Sequence, residues 1–420
     1  MDNPSTEASK HPGRVDFDIH GVVGIRLIDP SPTDLDAARK LLGCPSRLPL
    51  TAPDITVRFV ENLPVRGIRF LGTDQGAFTD NGFFLLQEGT RRVNARIPFD
   101  RIGGPCEIVC KSRLGSVPLL IPIISLTALK KECVPVHGSA VVYNGVGILM
   151  AGWAHCGKTA ALLGFAANGA EYVGEDWVLL SGNGQRMQGL VRPLELSRWH
   201  VASLPHVRSA VNLMNRFAFH GIGVLDGLQR MVSGERTRSS LVLRSVQRAL
   251  AAVENRLRQN VVPSAIFGDK IRSAGAQVDK IFLFVSHEDH RIEVEPIAPS
   301  EMARRLAFLV RHELTPLLRH YAAYRFAFPR RRNELMESAA EYSFGKLARA
   351  LNGKETYVVH LPYPHVFSEL YRAIQPLWKP TAAATAERGG VESRSFQAAR
   401  TELLSAFAAT STQGGLREWK

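Results

Sequence analysis

The chain has 420 residues, 45% hydrophobic and 22% charged. That is ordinary globular usage, which excludes a wholly disordered chain and a collagen-like or heptad array. The 52 Lys and Arg against 39 Asp and Glu give a net charge of +13, which permits nucleic acid, an anionic surface or an acidic ligand without choosing among them. A chain of this length can bury a core without disulfide or metal staples, and about two to three domains are expected at roughly one per 150 residues.

No run reaches the ~20 apolar residues that a membrane span needs. The longest candidate, 117–129, is broken by Pro122, Ser125 and Thr127 and reads as a buried strand or a helix start. The N-terminal stretch MDNPSTEASKHPGR is polar, so no secretory signal is expected. Five cysteines without a CxxC pair point to a reduced, cytoplasmic setting. Cys106 and Cys110 fall on one face of a strand as two small core residues.

In chain order, residues 1–16 read as a flexible leader and 17–116 as a mostly-β domain. Its strand runs include Gly21–Ile28, Ile55–Val60 and Gly82–Gln87, punctuated by Asp29-Pro30, Thr73-Asp74 and Asp80-Asn81-Gly82. One helical pattern, Asp34 to Leu42, interrupts them. From residue 117 the pattern changes. Ser139–Tyr143 and Val146–Ala151 are β-prone runs joined by Asn144-Gly145, a hairpin-turn dipeptide. A glycine loop and a helix over Ala160–Ala167 come next, ended by Asn168-Gly169. Glu171–Gly174 and Trp177–Leu180 then flank an acidic pair. Strand, glycine loop, helix, strand is an α/β nucleotide-binding order.

Residues 200–275 read as a helical, basic insert. Between 201 and 260 lie nine Arg (208, 216, 230, 236, 238, 244, 248, 256, 258) and three acids, so nine minus three, or +6, of the total charge sits there. Strand signals return at Lys280–Ser286 and Ile292–Ile297, and Ser300 is a candidate N-cap for a helix from Glu301. Helices continue to Leu351, Tyr357–Leu361 is a late strand, and 381–420 reads as a disordered tail.

The chemistry concentrates at Gly152-Trp153-Ala154-His155-Cys156-Gly157-Lys158-Thr159, which satisfies G-x-x-x-x-G-K-[ST]. Glycines let backbone N–H groups converge on phosphate oxygens, and the helix after the loop turns its positive end toward the same anion. Lys158 is placed to reach the β- and γ-phosphates of ATP and Thr159 to offer an oxygen to Mg²⁺. Trp153 and His155 are bulky for such a loop and fit if their side chains point outward. Cys156, beside a helix N-terminus, is a candidate for a lowered thiol pKa or a spectator. Glu175 and Asp176 come 17 and 18 residues after Lys158; one carboxylate there can hold Mg²⁺ and the other can accept a hydroxyl proton. His137 precedes the hairpin.

His137-Gly138-Ser139-Ala140, the hairpin, GWAHCGKT, the helix ending in Asn168-Gly169, and Tyr172-Val173-Gly174-Glu175-Asp176 occur in close succession. In this order they resemble the catalytic domain of HPr kinase/phosphorylase and its relatives, which include HPr-kinase-related proteins of peptide natural-product pathways and, more distantly, the phosphoenolpyruvate carboxykinases. The close match covers 136–180; a weaker one extends through 189–196 and 280–306. The resemblance implies an α/β P-loop kinase domain of the HPr-kinase/phosphoenolpyruvate-carboxykinase type over 117–380, with the mostly-β domain before it. It implies an ATP- and Mg²⁺-dependent serine kinase. His137 would lie near the reacting phosphate, Lys158 and Thr159 on phosphate and metal, and Glu175 and Asp176 would match the family's Asp-Asp pair, one arm of which acts as base; Asp176 is assigned that role because Glu175 is the position that departs from the pair. The family's second glycine-rich signature, which serves phosphorolysis, has no recognisable counterpart.

The leading expectation is therefore transfer of the γ-phosphoryl of ATP to a Ser or Thr hydroxyl of a protein or peptide. A kinase for a small hydroxylated metabolite and a non-catalytic ATP-sensing module are the competing readings. The Arg-rich segment and Arg330-Arg331-Arg332 read as solvated faces or as a surface for an acidic partner. Nucleic acid is the less supported partner, because no DNA- or RNA-binding motif accompanies them. A homo-oligomer is compatible with the sequence.

Overall fold

The computed structural model describes residues 13–378 apart from 64, 73–75, 88–89, 191, 197–199, 201–258, 290 and 363–366. The protein is a mixed α/β structure with several sheets. Most of the basic insert (201–258) and the expected tail lie outside the described residues, as does most of the leader.

The first sheet has eight strands: β1 (Arg14–Ile19), β2 (Val23–Ile28), β3 (Ile55–Val60), β4 (Arg69–Phe70), β5 (Ala77–Thr79), β6 (Gly82–Leu86), β7 (Val93–Arg96) and β8 (Cys106–Lys111), in the order β1-β2-β3-β8-β7-β6-β5-β4. Phe17, Ile19, Val23, Ile25, Leu27, Ile55 and Val57 alternate inward and are fully or almost fully buried, the period-two burial that fixes strand register. β1 starts inside the stretch expected as leader. The buried Asp16 holds it there, accepting from Arg26 Nε at 2.9 Å and from Leu50 N at 2.8 Å. Cys106 and Cys110 face the core from β8, and burial pushes both thiols up to about 12.

Between β2 and β3 runs α1 (Pro32–Leu42). Ser31 caps it: its Oγ accepts from Asp34 N, and Asp34 reaches back to Ser31 N, a reciprocal capping box with Pro32 at the first helical position. The apolar run after residue 117 becomes α2 (Leu120–Lys130); Pro122 is tolerated because it falls in the first turn, where no intrahelical donor is needed.

Beyond α2 the chain builds three smaller sheets. β9 (Cys133–Val136), β13 (Val178–Ser181) and β14 (Met187–Gly189) form one, ordered β14-β13-β9. β10 (Gly138–Tyr143), β11 (Val146–Gly152), β12 (Glu171–Gly174), β17 (Lys280–His287), β18 (Glu293–Pro296) and β19 (Glu355–Pro362) form another, ordered β12-β10-β11-β17-β19-β18. β11, β17 and β19 are mutually parallel at its centre. β15 (Leu194–Leu196) pairs with β16 (Gln259–Val261). The glycine loop after β11 leads into α3 (Lys158–Ala167). Residues 259–275, expected as helix, hold β16, a single helical turn at Ser264–Phe267, turns and an isolated bridge from Ile271 to Tyr172.

Three helices of 13 or more residues lie in the C-terminal part among the described residues: α4 (Pro299–Glu313), α5 (Thr315–Ala327) and α6 (Ala339–Leu351). The N-cap of α4 is Ala298, without a side-chain cap, so the expected Ser300 cap is corrected. Pro299 at the first position starts the helix by its fixed φ, and Ser300 falls inside the first turn.

The eight-stranded sheet packs directly against these helices. Phe83 and Phe99 meet edge-on at 5.4 Å, and Tyr324 of α5 approaches them at 5.9 and 5.3 Å between ring centres. Asn333 Nδ2 donates to the carbonyls of Phe99 and Ile102, both at 2.8 Å. One apolar core runs from Phe17 to Val358, and the described residues up to 375 form a single compact unit. Among the described residues no helix is long and apolar enough to cross a membrane.

Candidate functional site

The sequence Asn144-Gly145 closes the β10–β11 hairpin with both residues at positive φ, 50° and 75°, as a type I′ turn requires. The chain then runs through the fully buried β11 into the glycine loop and α3. β11 lies in the middle of the six-stranded sheet, so the loop emerges at the carboxyl end of a parallel strand, where open α/β sheets place their ligands. Gly152 has φ 151°, and a Cβ there would lie 2.5 Å from Cys156 Sγ and 2.7 Å from Phe284 O. Only glycine fits, and the loop turns sharply at that point. The first intrahelical bond of α3 runs from Ala161 N to Gly157 O at 2.9 Å, so the amides of Lys158, Thr159 and Ala160 precede it at the positive end of the helix.

Lys158 is buried and folded over its own loop. Its Nζ donates to Gly152 O at 2.9 Å and Trp153 O at 2.6 Å. Trp153 points outward as expected, 52% exposed, with its ring 4.2 Å from that of His312 at the end of α4. His155 adopts φ 63°, a left-handed conformation. For Cys156 the lowered thiol is corrected and the spectator reading stands: burial raises its thiol pKa, and the Lys158 charge only partly opposes this. It packs under Gly152 as a core atom of the loop, and Ala154 completes the turn.

The acidic pair sits where the chain leaves one sheet for another. Gly174 ends β12 in the six-stranded sheet; Glu175, Asp176 and Trp177 cross over; Val178 begins β13 in the three-stranded sheet. His137 makes the reverse crossing between β9 and β10. The registers Val136↔Val178 and Ala140↔Gly174 bring the two crossings side by side. A second glycine contact fixes the geometry: Gly174 and Gly189 face each other so closely that a Cβ on Gly174 would stand 2.4 Å from Gly189 Cα. That approach presses β14 onto β12 and delivers Arg192 to Asp176, with which it forms an ion pair.

Thr159 Oγ1 donates to Glu175 Oε1 at 2.6 Å, so the glycine loop and the acidic pair form one site. Glu175 is 5% exposed. Burial, then the Asp176 charge beside it, pushes its carboxyl up to about 7, against the pull of the Thr159 hydroxyl, Arg192 and Lys158. Asp176 turns the other way, at φ 65°, into a cleft of about 180 Å³ that it shares with His137, Trp177, Arg192 and Glu313. His137 Nδ1 lies 3.0 Å from Glu313 Oε1, and this bond, more than the neighbouring charges, holds the Glu313 carboxyl below its ordinary range.

The structure therefore brings together Gly152, Gly157, Lys158, Thr159, Glu175, Asp176 and His137. It adds Arg192, Glu313 and His312, which sequence reasoning missed. Arg192 stood in a stretch of weak resemblance with nothing to single it out. Glu313 did carry a signal: an acid as the last residue of a helix opposes the helix dipole.

Chemically the site offers an anion cradle beside hard oxygen donors. Thr159 and Glu175 suit Mg²⁺, which is usually held by one or two carboxylates together with phosphate oxygens and water. Among the described residues no cluster of three or more His, Cys, Asp or Glu could hold a metal ion.

The raised Glu175 pKa gives a test of the site without ligand. The fold favours the protonated carboxyl, so this contribution to stability is complete below the ordinary value of 4.5 and is lost as pH rises through about 7. Glu175→Gln is expected to match the wild type at about pH 4 and to exceed it at about pH 8, by up to about 3 kcal/mol at about 1.4 kcal/mol per pKa unit. Thermal midpoints of the protein at the two pH values measure this; a gap that does not change with pH would count against a buried, protonated Glu175.

No protein-family model matches this sequence, and comparison with curated proteins finds no significant match.

Proposed function

We propose that the chain is an ATP-dependent kinase with a P-loop kinase fold of the HPr-kinase/phosphoenolpyruvate-carboxykinase type, transferring the γ-phosphoryl group to a Ser or Thr hydroxyl of a protein or peptide. The observation that carries this reading is the 2.6 Å bond from Thr159 to Glu175. It couples a phosphate-type loop to an acidic pair whose second member opens onto a separate cleft. A pure sensor needs the loop but not a carboxylate aimed at an acceptor. The order of motifs from His137 to Asp176, similar to HPr kinase/phosphorylase, supports the same assignment.

In this reading the loop amides and Lys158 would bind the phosphates, and Thr159 and Glu175 would hold Mg²⁺. The chemistry supplied at that position is neutralisation of phosphate charge. Asp176 accepts the acceptor's hydroxyl proton as the new O–P bond forms and the bond to the departing ADP breaks. Arg192 fixes the Asp176 carboxylate. His137, held by Glu313, borders the reacting group. The five thiols are all free, which suits a cytoplasmic enzyme, and an acidic partner for the Arg-rich segment belongs to the same reading.

Calorimetric titration with Mg-ATP, run beside transfer of labelled γ-phosphate into a cellular extract, tests the assignment. Binding with a Kd below about 1 mM and at least one labelled acceptor are expected. Absence of binding would remove the phosphate-site reading. Binding without any labelled acceptor would favour the sensor.

A further inference from the structure

A second, larger groove of about 610 Å³ opens from the same two side chains that line the reaction cleft, Asp176 and Arg192. Its opposite wall is α1, an element of the eight-stranded sheet region that the proposed chemistry does not use. Residues 33 to 41 of α1 border it, a length of about 12 Å at 1.5 Å rise per residue. An extended chain covers that distance in about three to four residues at about 3.3 Å each. Its apolar lining includes Ala37, Leu41, Phe59, Val117 and Pro193.

The charge of the groove runs against that of the protein. The chain as a whole is +13, yet among the described residues the lining holds Asp34, Asp36, Asp176 and Glu195 against Lys40 and Arg192. Asp34 is committed to structure, since Arg113 N donates to its carboxylate at 2.9 and 3.1 Å and Ser31 caps through it. Asp176 is paired with Arg192. Asp36 is different: its side chain is 66% exposed, and its ion-pair contact is Arg39 at 3.8 Å. An exposed pair of that kind is worth about 1 kcal/mol or less, so a cation arriving in the groove can take its place.

We propose that this groove is the acceptor site, and that its occupant is an extended peptide segment carrying a basic side chain near the acceptor residue, paired with Asp36. The proposal rests on the kinase reading for the meaning of "acceptor", and it deepens that reading by selecting peptide over small metabolite. The reaction cleft of about 180 Å³ takes the hydroxyl-bearing side chain. The groove takes the flanking residues. α1, capped at Ser31 and anchored through Asp34, supplies a rigid wall.

The probe is an arrayed library of fluorescent Ser-centred peptides with each flanking position fixed in turn. Binding is read by polarisation, and affinity for a non-hydrolysable Mg-ATP analogue is read separately. Peptides with Arg or Lys within a few positions of the Ser are expected to bind best. Ala37→Trp, on a half-buried position of the wall, should raise their Kd by at least about tenfold. Asp36→Lys should abolish the basic preference. Both variants should bind the ATP analogue within about twofold of wild type. Ala37→Leu, a smaller obstruction, should give an intermediate loss and guards against misfolding of the Trp variant. Unchanged peptide affinity in the Ala37 variants, a basic preference that survives Asp36→Lys, or no peptide binding in a protein that binds the ATP analogue would each overturn the groove assignment. Peptide binding with the expected pattern in a protein that fails to bind the ATP analogue would keep the groove and overturn the kinase.

Discussion

Lys158→Ala is expected to abolish phosphoryl transfer and to weaken Mg-ATP by roughly 10- to 150-fold. The range comes from a hydrogen bond to a charged group, about 1.5–3 kcal/mol, at about 1.4 kcal/mol per factor of ten. Without nucleotide the Lys158 ammonium is buried and satisfied by two loop carbonyls, Gly152 O and Trp153 O. Phosphate oxygens would replace those carbonyls as partners, so the lysine is kept in the loop and ready to be redirected. The substitution removes a buried charge and, with it, the donor that these two carbonyls share. The two effects oppose each other, so the thermal midpoint should move less than the affinity does. A second consequence is electrostatic. The Lys158 charge helps pull the Glu175 carboxyl down against its burial, so in Lys158→Ala the Glu175 pKa should rise further above about 7. The stability gap between Glu175→Gln and its parent should then be wider in the Lys158→Ala background and persist to higher pH. Calorimetry with Mg-ATP and pH-dependent melting of the single and double variants measure both effects. Wild-type affinity in Lys158→Ala would mean that the glycine loop does not hold phosphate.

The parts of the site that were legible in the sequence are those set by local backbone chemistry. Asn144-Gly145 announced its turn because few other residue pairs take two positive φ values in succession. Gly152 and Gly157 announced the loop, and a β run before it and a helix after it placed it correctly. Of the first sheet, β2, β3, β6 and β8 were readable as short β runs between turn residues, β3 with its observed limits, whereas β1, β4, β5 and β7 were not singled out. What escaped is set by contacts between distant segments. Arg192 reaches Asp176 because Gly174 and Gly189 let two strands touch at backbone distance; no pattern within either strand reports that. His137 meets Glu313 because α4 ends beside the β9–β10 crossing. The linkage of the first sheet to the helices depends on Asn333 finding two carbonyls at Phe99 and Ile102. Cys156 illustrates the competition between two local rules. Proximity to a helix N-terminus lowers a thiol pKa and burial raises it, and burial, invisible in the sequence, is the larger effect here.

Asp176→Asn is expected to leave Mg-ATP binding nearly intact while lowering phosphoryl transfer by a factor on the order of 10²–10⁴, the range for loss of a general base. The separation comes from how the pair is divided. Glu175 is buried against Thr159 on the loop side, whereas Asp176 turns through φ 65° into the cleft with His137 and Arg192. Asn tolerates the left-handed conformation as well as Asp does, so the crossing between β12 and β13 should keep its shape. Its amide oxygen can still accept from Arg192, which leaves that guanidinium partnered. Removing the Asp176 charge also relieves Glu175, because that charge is the second largest cause of its raised pKa. The Glu175 carboxyl should therefore ionise more readily in the variant, and Mg-ATP affinity near neutral pH should hold or rise. A loss confined to kcat, with nucleotide Kd unchanged or tighter and the thermal midpoint preserved, is the signature of a base. A parallel loss of nucleotide affinity would instead mark Asp176 as part of the metal site and make Glu175 the remaining candidate for the base. Transfer at the wild-type rate would remove Asp176 from the chemistry altogether. Transfer of labelled γ-phosphate, measured beside calorimetric Mg-ATP affinity on wild type, Asp176→Asn and Asp176→Glu, separates these outcomes, because only a base at this position should be partly rescued by the longer carboxylate.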